Sequence, residues 1–200
     1  MAAEQPPDLT VADAAAWRVW LQAHHGEQSG VWLELAKKGT TTPTSLTYGE
    51  ALDEALCHGW IDGQAKGSPG GTYRQRFTPR RTRSPWSQRN VGLVARLSRE
   101  GRMHPAGLAE VERAKADGRW EQAYAGPAGA EVPADLAAAV AAEPRAQAMF
   151  DILTSQNRYA MVHRIGQAKR ATTRTRLITT YVAMLAKGET LYPQKRRLGD

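Results

Sequence analysis

The fold is decided by residues 61–78, which read Ile61-Asp-Gly-Gln-Ala-Lys-Gly-Ser-Pro-Gly-Gly-Thr-Tyr-Arg-Gln-Arg-Phe-Thr78. The segment Gly67-Ser-Pro-Gly70 has the composition of a turn, so we predict a strand on each side of it and a hairpin between the two. In the second strand a period of two places Arg74 and Arg76 on one face. Their two guanidinium groups should therefore point the same way.

Other elements flank this hairpin on both sides. Residues 30–39 alternate apolar with other side chains, which indicates a strand. Thr47 and Glu50 have the spacing of a capping box that begins a helix, and Gly59 ends that helix. Ser84-Pro85 offers an N-cap followed by proline at the first helical position, so we predict that the next helix starts there.

A run of Gly, Pro and Ala at residues 125–132 is the clearest linker in the chain. Every segment after it has helical signals. We therefore predict the α+β fold class, with N-terminal helices and a small antiparallel sheet followed by a C-terminal all-helical subdomain. The predicted bounds are 1–124 for the α+β domain, 125–132 for the linker, 133–192 for the helical subdomain and 193–200 for a loose basic tail.

Composition narrows the classes of protein and site. Cys57 is the only cysteine, so no intrachain disulfide and no thiolate cluster for zinc or iron–sulfur can form. The first residues lack a basic start followed by an apolar stretch, and no apolar run approaches the roughly 18 residues that span a bilayer. We expect a cytoplasmic protein with no membrane span, no metal and no cofactor.

Positive charge is concentrated in one segment. Residues 74–102 contain nine arginines and one acid, Glu100, and so carry a net charge of +8. The rest of the chain carries −1, which gives the net charge of +7 for the whole chain. Such a segment should attract phosphate, carboxylate or an acidic surface. The alternative is an ordinary solvated face on which the arginine stems cover apolar surface.

Several segments carry a resemblance to a known family. They are Gly30-Val-Trp-Leu-Glu-Leu-Ala-Lys-Lys-Gly39, Leu46-Thr-Tyr-Gly-Glu-Ala-Leu-Asp-Glu-Ala-Leu-Cys-His-Gly-Trp-Ile-Asp-Gly63, Tyr73-Arg-Gln-Arg-Phe-Thr-Pro-Arg-Arg81, Ser84-Pro-Trp-Ser87, Gly101-Arg-Met-His-Pro-Ala-Gly107 and the helical residues 157–188. In order and spacing the chain resembles the YdeI/OmpD-associated (OmdA, bacteriocin-protection) family from about Leu9 to Tyr192. One departure is His58, where the resemblance leads us to expect an aromatic residue. The resemblance implies a context of stress or antimicrobial resistance and supplies no catalytic residue.

The candidate ligand site combines aromatic rings, paired arginines and one carboxylate. Guanidinium groups bind carboxylate or phosphate through parallel hydrogen bonds, and indole faces stack on flat ligands or on arginine. A helix that begins at Ser84 would add the positive end of its dipole. The alternative is that the tryptophans are core residues and that the carboxylate neutralises an arginine. The predicted site residues are Trp60, Asp62, Arg74, Arg76, Arg80, Arg81, Ser84 and Trp86.

These residues are compatible with three classes of function. We favour a cytoplasmic binding protein for an acidic or aromatic small molecule or peptide, with a role in antimicrobial or stress resistance. The second class is an enzyme that uses Asp62 as acid or base beside an arginine clamp, with His58 and His104 as the other titratable groups nearby. The third is a nucleic-acid-binding protein that uses the arginine surface of residues 74–102.

Overall fold

The computed structural model describes residues 6–27, 29–126 and 130–198. The contacts between backbone positions divide the chain into two compact units, with the division between Tyr124 and Ala125. The predicted linker 125–132 and the predicted tail 193–200 lie partly outside the described residues. The elements described in the first unit are β1 (Asp8–Leu9), α1 (Ala14–His24), β2 (Val31–Ala36), α2 (Tyr48–Cys57), β3 (Trp60–Gly67), β4 (Thr72–Pro79), α3 (Gln88–Arg99) and α4 (Pro105–Ala116).

The four strands form one sheet in the order β1-β2-β4-β3. The hairpin is present, since β3 and β4 pair antiparallel, and β2 pairs antiparallel with the other edge of β4. The two-residue strand β1 adds to β2 in parallel. The α+β prediction is confirmed, but the sheet is mixed rather than wholly antiparallel, since β1 is parallel to β2. The sequence did not predict β1, because a strand of two residues is too short to show a period.

The register of the sheet assigns each side chain to a face, because directly opposite residues point the same way. Arg74 lies opposite Glu34, and Arg76 lies opposite Trp32, so the two arginines share the outer face as predicted. Asp62 lies opposite Phe77, which is fully buried in the core. The carboxylate of Asp62 and the two guanidinium groups are therefore on opposite faces of the sheet.

Helix α2 begins and ends where the sequence indicates. The Thr47 side chain accepts from the Glu50 amide, and the Thr47 amide donates to Glu50 Oε2 at 2.9 Å, which completes the capping box. Gly59, with φ of +79°, turns the chain from α2 into β3. Helix α4 crosses the end of α2 at Gly107, where a Cβ would overlap the carbonyl of Cys57. Only glycine allows this close approach.

Aromatic side chains fill the core of the first unit. The ring of Trp17 lies 6.3 Å from that of Trp60 and 5.8 Å from that of Phe77, centre to centre, and all three side chains are fully buried. The indole Nε1 of Trp60 donates to the carbonyl of His25 at 2.9 Å. Trp60 is thus a core residue whose hydrogen bond holds the end of α1 beside the start of β3.

Helix α3 begins later than predicted. Its N-cap is Ser87, whose hydroxyl accepts from the Asn90 amide at 3.2 Å, whereas the Ser84 hydroxyl accepts from the Arg81 amide at 3.0 Å. The Trp86 carbonyl accepts from the Tyr124 amide, which keeps the chain extended there. The prediction that Ser84 caps this helix is therefore wrong, because a pairing with a distant segment overrides the local Ser-Pro signal.

The second unit contains helices α5 (Ala134–Ala141), α6 (Pro144–Asp151), α7 (Ser155–Gly166) and α8 (Ala171–Ala186). Asn157 is fully buried, and its side chain donates to the Tyr192 carbonyl and to Gln194 Oε1. Leu198 packs against the core of this unit. Gln194 and Leu198 therefore contact the helical unit, whereas Lys195, Arg196 and Arg197 are exposed. The loose basic tail at residues 193–200 stays a prediction.

Candidate functional site

A cavity of about 510 Å³ lies where the end of β4 meets the end of α2 and the start of α4. We call it the histidine–arginine pocket. Three arginines and two histidines face one carboxylate in its lining, so the walls carry a net positive charge even when both histidines are neutral. The charged and titratable lining residues are His25, His58, Arg80, Arg81, Glu110 and Arg113.

Arg80 is the most unusual residue of this pocket because its charged group is buried. Only 6% of the residue is exposed, and its guanidinium lies 3.6 Å from the centre of the Trp86 ring. Nη1 donates to the Pro85 carbonyl at 3.2 Å, while Nε and Nη2 are buried and have no hydrogen-bond partner among the described residues. Burial lowers the pKa of Arg80 to about 10. The free protein thus holds a cation whose hydrogen-bonding capacity is only partly used.

Glu110 supplies the nearest negative charge without bonding to Arg80 in the described residues. Its Oε1 accepts from Arg113 at 2.7 Å, and its Oε2 is buried without a partner. The attraction of Glu110 raises the pKa of Arg80, but burial outweighs it. A Cβ at Gly59 would crowd both the Glu110 side chain and the Ala106 carbonyl. Glycine at position 59 therefore lets the end of α2 approach α4 and form this wall.

Three histidine rings from three parts of the chain lie in contact, and two of them, His25 and His58, line the pocket. The ring of His104 lies 4.9 Å from that of His58 and 4.8 Å from that of His25. The His104 amide donates to the Cys57 carbonyl, and this hydrogen bond places the His104 ring beside the His58 ring. His58 Nδ1 lies 2.9 Å from the Glu54 carbonyl, so Nδ1 carries the proton and Nε2 is the acceptor in the neutral ring. Burial lowers the pKa of His58, and the neighbouring histidines lower it further.

A second, smaller cavity of about 240 Å³ lies along β4, and we call it the strand pocket. Arg76, Arg81 and Ser84 line it, together with Gln64 and Thr78. Nε of Arg76 is buried without a hydrogen-bond partner. Pro79 and Arg81 belong to the linings of both cavities, so the two pockets adjoin at the end of β4.

The structure brings five of the eight predicted site residues together around these pockets. Arg80 and Arg81 line the histidine–arginine pocket, while Arg76, Arg81 and Ser84 line the strand pocket. Trp86 lies beneath Arg80 and is buried, so it supports the site from behind.

The other predicted site residues have partners of their own. Trp60 is in the core. Asp62 accepts from the Tyr48 hydroxyl at 2.9 Å, and Arg74 binds Asp8 at 2.7 Å. The alternative in which Asp62 neutralises Arg74 or Arg76 is wrong, because they lie on opposite faces of the sheet. The role of Asp62 as a general acid or base stays a prediction.

Sequence reasoning missed His25, Glu110 and Arg113. A pair of adjacent histidines on a helix is a poor chelate, so His25 gave no signal of a site. Glu110 and Arg113 are spaced like any surface ion pair on a helix. Only the crossing of α4 over α2 brings them to the end of β4.

The arginine segment of residues 74–102 does not form one continuous basic face. Arg96 binds Asp53 at 2.7 Å and Glu100 at 3.0 Å, and Arg102 binds Glu54 at 2.6 Å. Arg74 is paired with Asp8, as described above, and Arg80 is buried. Acids from distant parts of the chain thus neutralise several of the nine arginines. Among the residues that the structure describes, Arg76, Arg80 and Arg81 form no ion pair and lie together at the end of β4, while Arg89 and Arg99 in α3 form none either.

Three further findings concern Cys57, metal ligands and membrane-spanning helices. Cys57 is fully buried, and burial raises the pKa of its thiol to about 11, so it is a packed core side chain. Within the described residues, no group of three or more His, Cys, Asp or Glu side chains is placed to hold a metal ion. None of the described helices has both the length and the apolar character needed to cross a membrane.

Two family models match the chain. Residues 9–110 match a model described as a domain of unknown function (DUF8412). Residues 129–188 match a model described as bacteriocin-protection, YdeI or OmpD-associated (OmdA). The second match confirms the resemblance seen in the sequence over a shorter stretch than the one from Leu9 to Tyr192. Comparison with curated proteins and with solved structures finds no match.

Proposed function

The chain belongs to the family described as a domain of unknown function (DUF8412), and we propose that its first unit is a binding domain for a small acidic molecule. The ligand's carboxylate or phosphate group occupies the histidine–arginine pocket. The second unit carries the bacteriocin-protection match, so we place this binding activity in resistance to an antimicrobial compound, in the cytoplasm.

One observation carries the proposal, namely the incompletely paired cation of Arg80. A buried charge costs free energy unless hydrogen bonds and an opposite charge compensate it. Arg80 has one hydrogen bond, to Pro85, and two buried guanidinium nitrogens without an acceptor. Trp86 offers its ring face but no anionic oxygen. An anion in the adjoining cavity would supply the compensation that the free protein lacks.

The rest of the lining also favours an anion. Arg81 and Arg113 add two further cations, and His58, whose pKa is lowered by burial, is a neutral donor or acceptor that becomes cationic on protonation. Glu110 is the single acid of the lining, and Arg113 already engages one of its oxygens. The cavity has the size of a small-molecule site rather than of a groove for a nucleic-acid strand.

The test is a thermal-shift and calorimetric titration with sulfate at constant ionic strength. Sulfate also stabilises proteins in general by exclusion from their surface, so the quantity to measure is the difference between wild type and Arg80→Met. We expect saturable binding to wild type and to Arg83→Gln, an exposed arginine outside both linings. We expect loss of binding in Arg80→Met and a clear weakening in Arg81→Gln.

Equal sulfate binding by wild type and by both pocket variants would overturn the proposal. Arg81 is exposed, so its substitution tests the pocket without threatening the core. A short single-stranded DNA is titrated in parallel. Binding to DNA that survives in Arg80→Met but weakens in Arg83→Gln would favour the nucleic-acid alternative instead.

A further inference from the structure

The two cavities at the end of β4 adjoin, although their walls come from different parts of the first unit. The histidine–arginine pocket is built by the end of α2, by α4 and by residues 79–82, whereas the strand pocket is built by β3, β4 and the turn after β4. Pro79 and Arg81 are common to both linings. A ligand that fills one cavity therefore has the other within reach on the far side of Arg81.

Each cavity has its own incompletely paired guanidinium group. In the histidine–arginine pocket this group is Arg80, and in the strand pocket it is Arg76, whose buried Nε has no partner. The named lining of the strand pocket contains two cations, Arg76 and Arg81, and no acid. Arg76 is only partly buried, so the strand pocket has a similar but weaker requirement for an anion than its neighbour.

Arg81 is held where it can serve both cavities. Its amide donates to the Ser84 hydroxyl at 3.0 Å, and its carbonyl accepts from the Ser84 amide at 2.9 Å. These two bonds close a tight turn directly after β4, so the backbone of Arg81 is fixed while its exposed side chain keeps its freedom. This arrangement explains why Ser84 lines the site although it caps no helix.

We propose, building on the proposed function, that the ligand is a small molecule with two anionic groups, one held in each pocket, with Arg81 between them. Arg80 and the histidines face the first anionic group, and Arg76 faces the second. Arg76 lies three residues before the end of β4, which corresponds to roughly 10 Å of extended chain between the backbones of the two pockets. The distance between the two bound anionic groups is shorter, because long arginine side chains reach towards each other from both ends. The two anionic groups are therefore joined by a short spacer rather than placed on one atom.

A matched pair of probes tests this inference directly. Each dicarboxylate from succinate to suberate is titrated beside its own monomethyl ester, which has nearly the same length and one negative charge fewer. For the chain length that fits best, we expect the dianion to bind wild type about tenfold more tightly than the ester, because the second contact is intramolecular once the first has formed. Butane-1,4-diylbisphosphonate beside butylphosphonate provides the same comparison for phosphorus oxyanions and shows which anion class is preferred.

Variants assign the second contact to Arg76. In Arg76→Gln the dianion and its ester should bind with affinities equal within about twofold, while the ester binds as it does to wild type. Arg76→Lys should restore part of the preference, and Arg83→Gln should keep all of it. Equal binding of dianion and ester to wild type, with both lost in Arg80→Met, would overturn the two-group ligand and leave the proposed function standing. Absence of binding by sulfate and by every probe would overturn both.

Discussion

The guanidinium of Arg80 lies 3.6 Å from the centre of the Trp86 ring, and both residues are almost completely buried. Trp86 in turn packs on Trp120, with ring centres 4.8 Å apart. This stack fixes a cation at the wall of a pocket without neutralising it. Substitutions of Trp86 therefore test how the stack contributes to the stability of the free protein, and substitutions of Arg80 test the affinity for anions.

Trp86 should be needed for its ring rather than for its indole nitrogen. Nε1 of Trp86 is buried without a hydrogen-bond partner, so Trp86→Phe loses no hydrogen bond and keeps an aromatic face under Arg80. Trp86→Ala should lower the free energy of unfolding by about 3–5 kcal/mol, as is typical of large cavities. We expect Trp86→Phe to cost clearly less. Urea unfolding followed by circular dichroism measures both, and equal losses would show that the ring face is not what matters.

Anion binding should strengthen as the pH falls. Burial lowers the pKa of His58, so this ring is neutral near pH 7, and a bound anion would favour its protonated form. Sulfate stays fully ionised over this range, which makes its affinity a measure of the protein's groups alone. We expect tighter binding below about pH 6.5, the ordinary histidine pKa, and a flatter profile in His58→Gln. His25 and Glu110 also line the pocket, and the His104 ring contacts those of His25 and His58, so His25→Gln is the matched comparison.

The stability of the free protein should have the opposite dependence on pH. A folded-state pKa below the unfolded value means that the unfolded chain takes up the proton first as the pH falls. The contribution of neutral His58 is therefore fully present above about pH 6.5 and is lost as the pH falls towards its lowered folded-state pKa. Urea midpoints of wild type and His58→Gln, compared between neutral and mildly acidic pH, check this sign. A wild type that loses no more stability than the variant would contradict it.

Glu54 should be the carboxylate on which the first unit depends most. It is 2% exposed and accepts from both Arg18 and Arg102 at 2.6 Å. Burial would raise the pKa of Glu54, but the two arginines lower it overall. Because Arg18 is half-exposed, we expect Glu54→Gln to cost about 3 kcal/mol, the lower end for a broken buried pair. The matched control is Glu112→Gln, a surface pair with Lys115, which should cost at most about 0.5 kcal/mol.

Two glycines in helices should respond to alanine in opposite directions. Gly107 touches the end of α2, where a Cβ would overlap the Cys57 carbonyl, so Gly107→Ala should destabilise by about 1–3 kcal/mol. Gly92 in α3 has open space around it, so Gly92→Ala should stabilise by about 0.5–1 kcal/mol. Denaturant unfolding measures both. Gly107→Ala should also weaken sulfate binding, because it moves the helix that carries Glu110 and Arg113.

Local signals in the sequence determined the elements that build the site. Turn composition and a period of two predicted the hairpin and the shared face of Arg74 and Arg76, and the capping box predicted the start of α2. These features depend on residues close together in the chain, and backbone sterics and hydrogen bonding act at that range. The α+β class followed from the same kind of evidence, and the quoted motifs carried the resemblance that the match over residues 129–188 confirms.

The site itself was decided by tertiary structure. The positive φ of Gly59 and the contact of Gly107 with Cys57 bring the ends of α2 and α4 together at the end of β4. Those contacts place His25 and Glu110 beside Arg80. Distant acids pair with Arg74, Arg96 and Arg102, whereas in the described part of the chain Arg80 contacts the Trp86 ring and donates one hydrogen bond, to the Pro85 carbonyl. A periodic pattern reports which face of an element is buried, but the partner that buries it depends on how elements far apart in the chain pack.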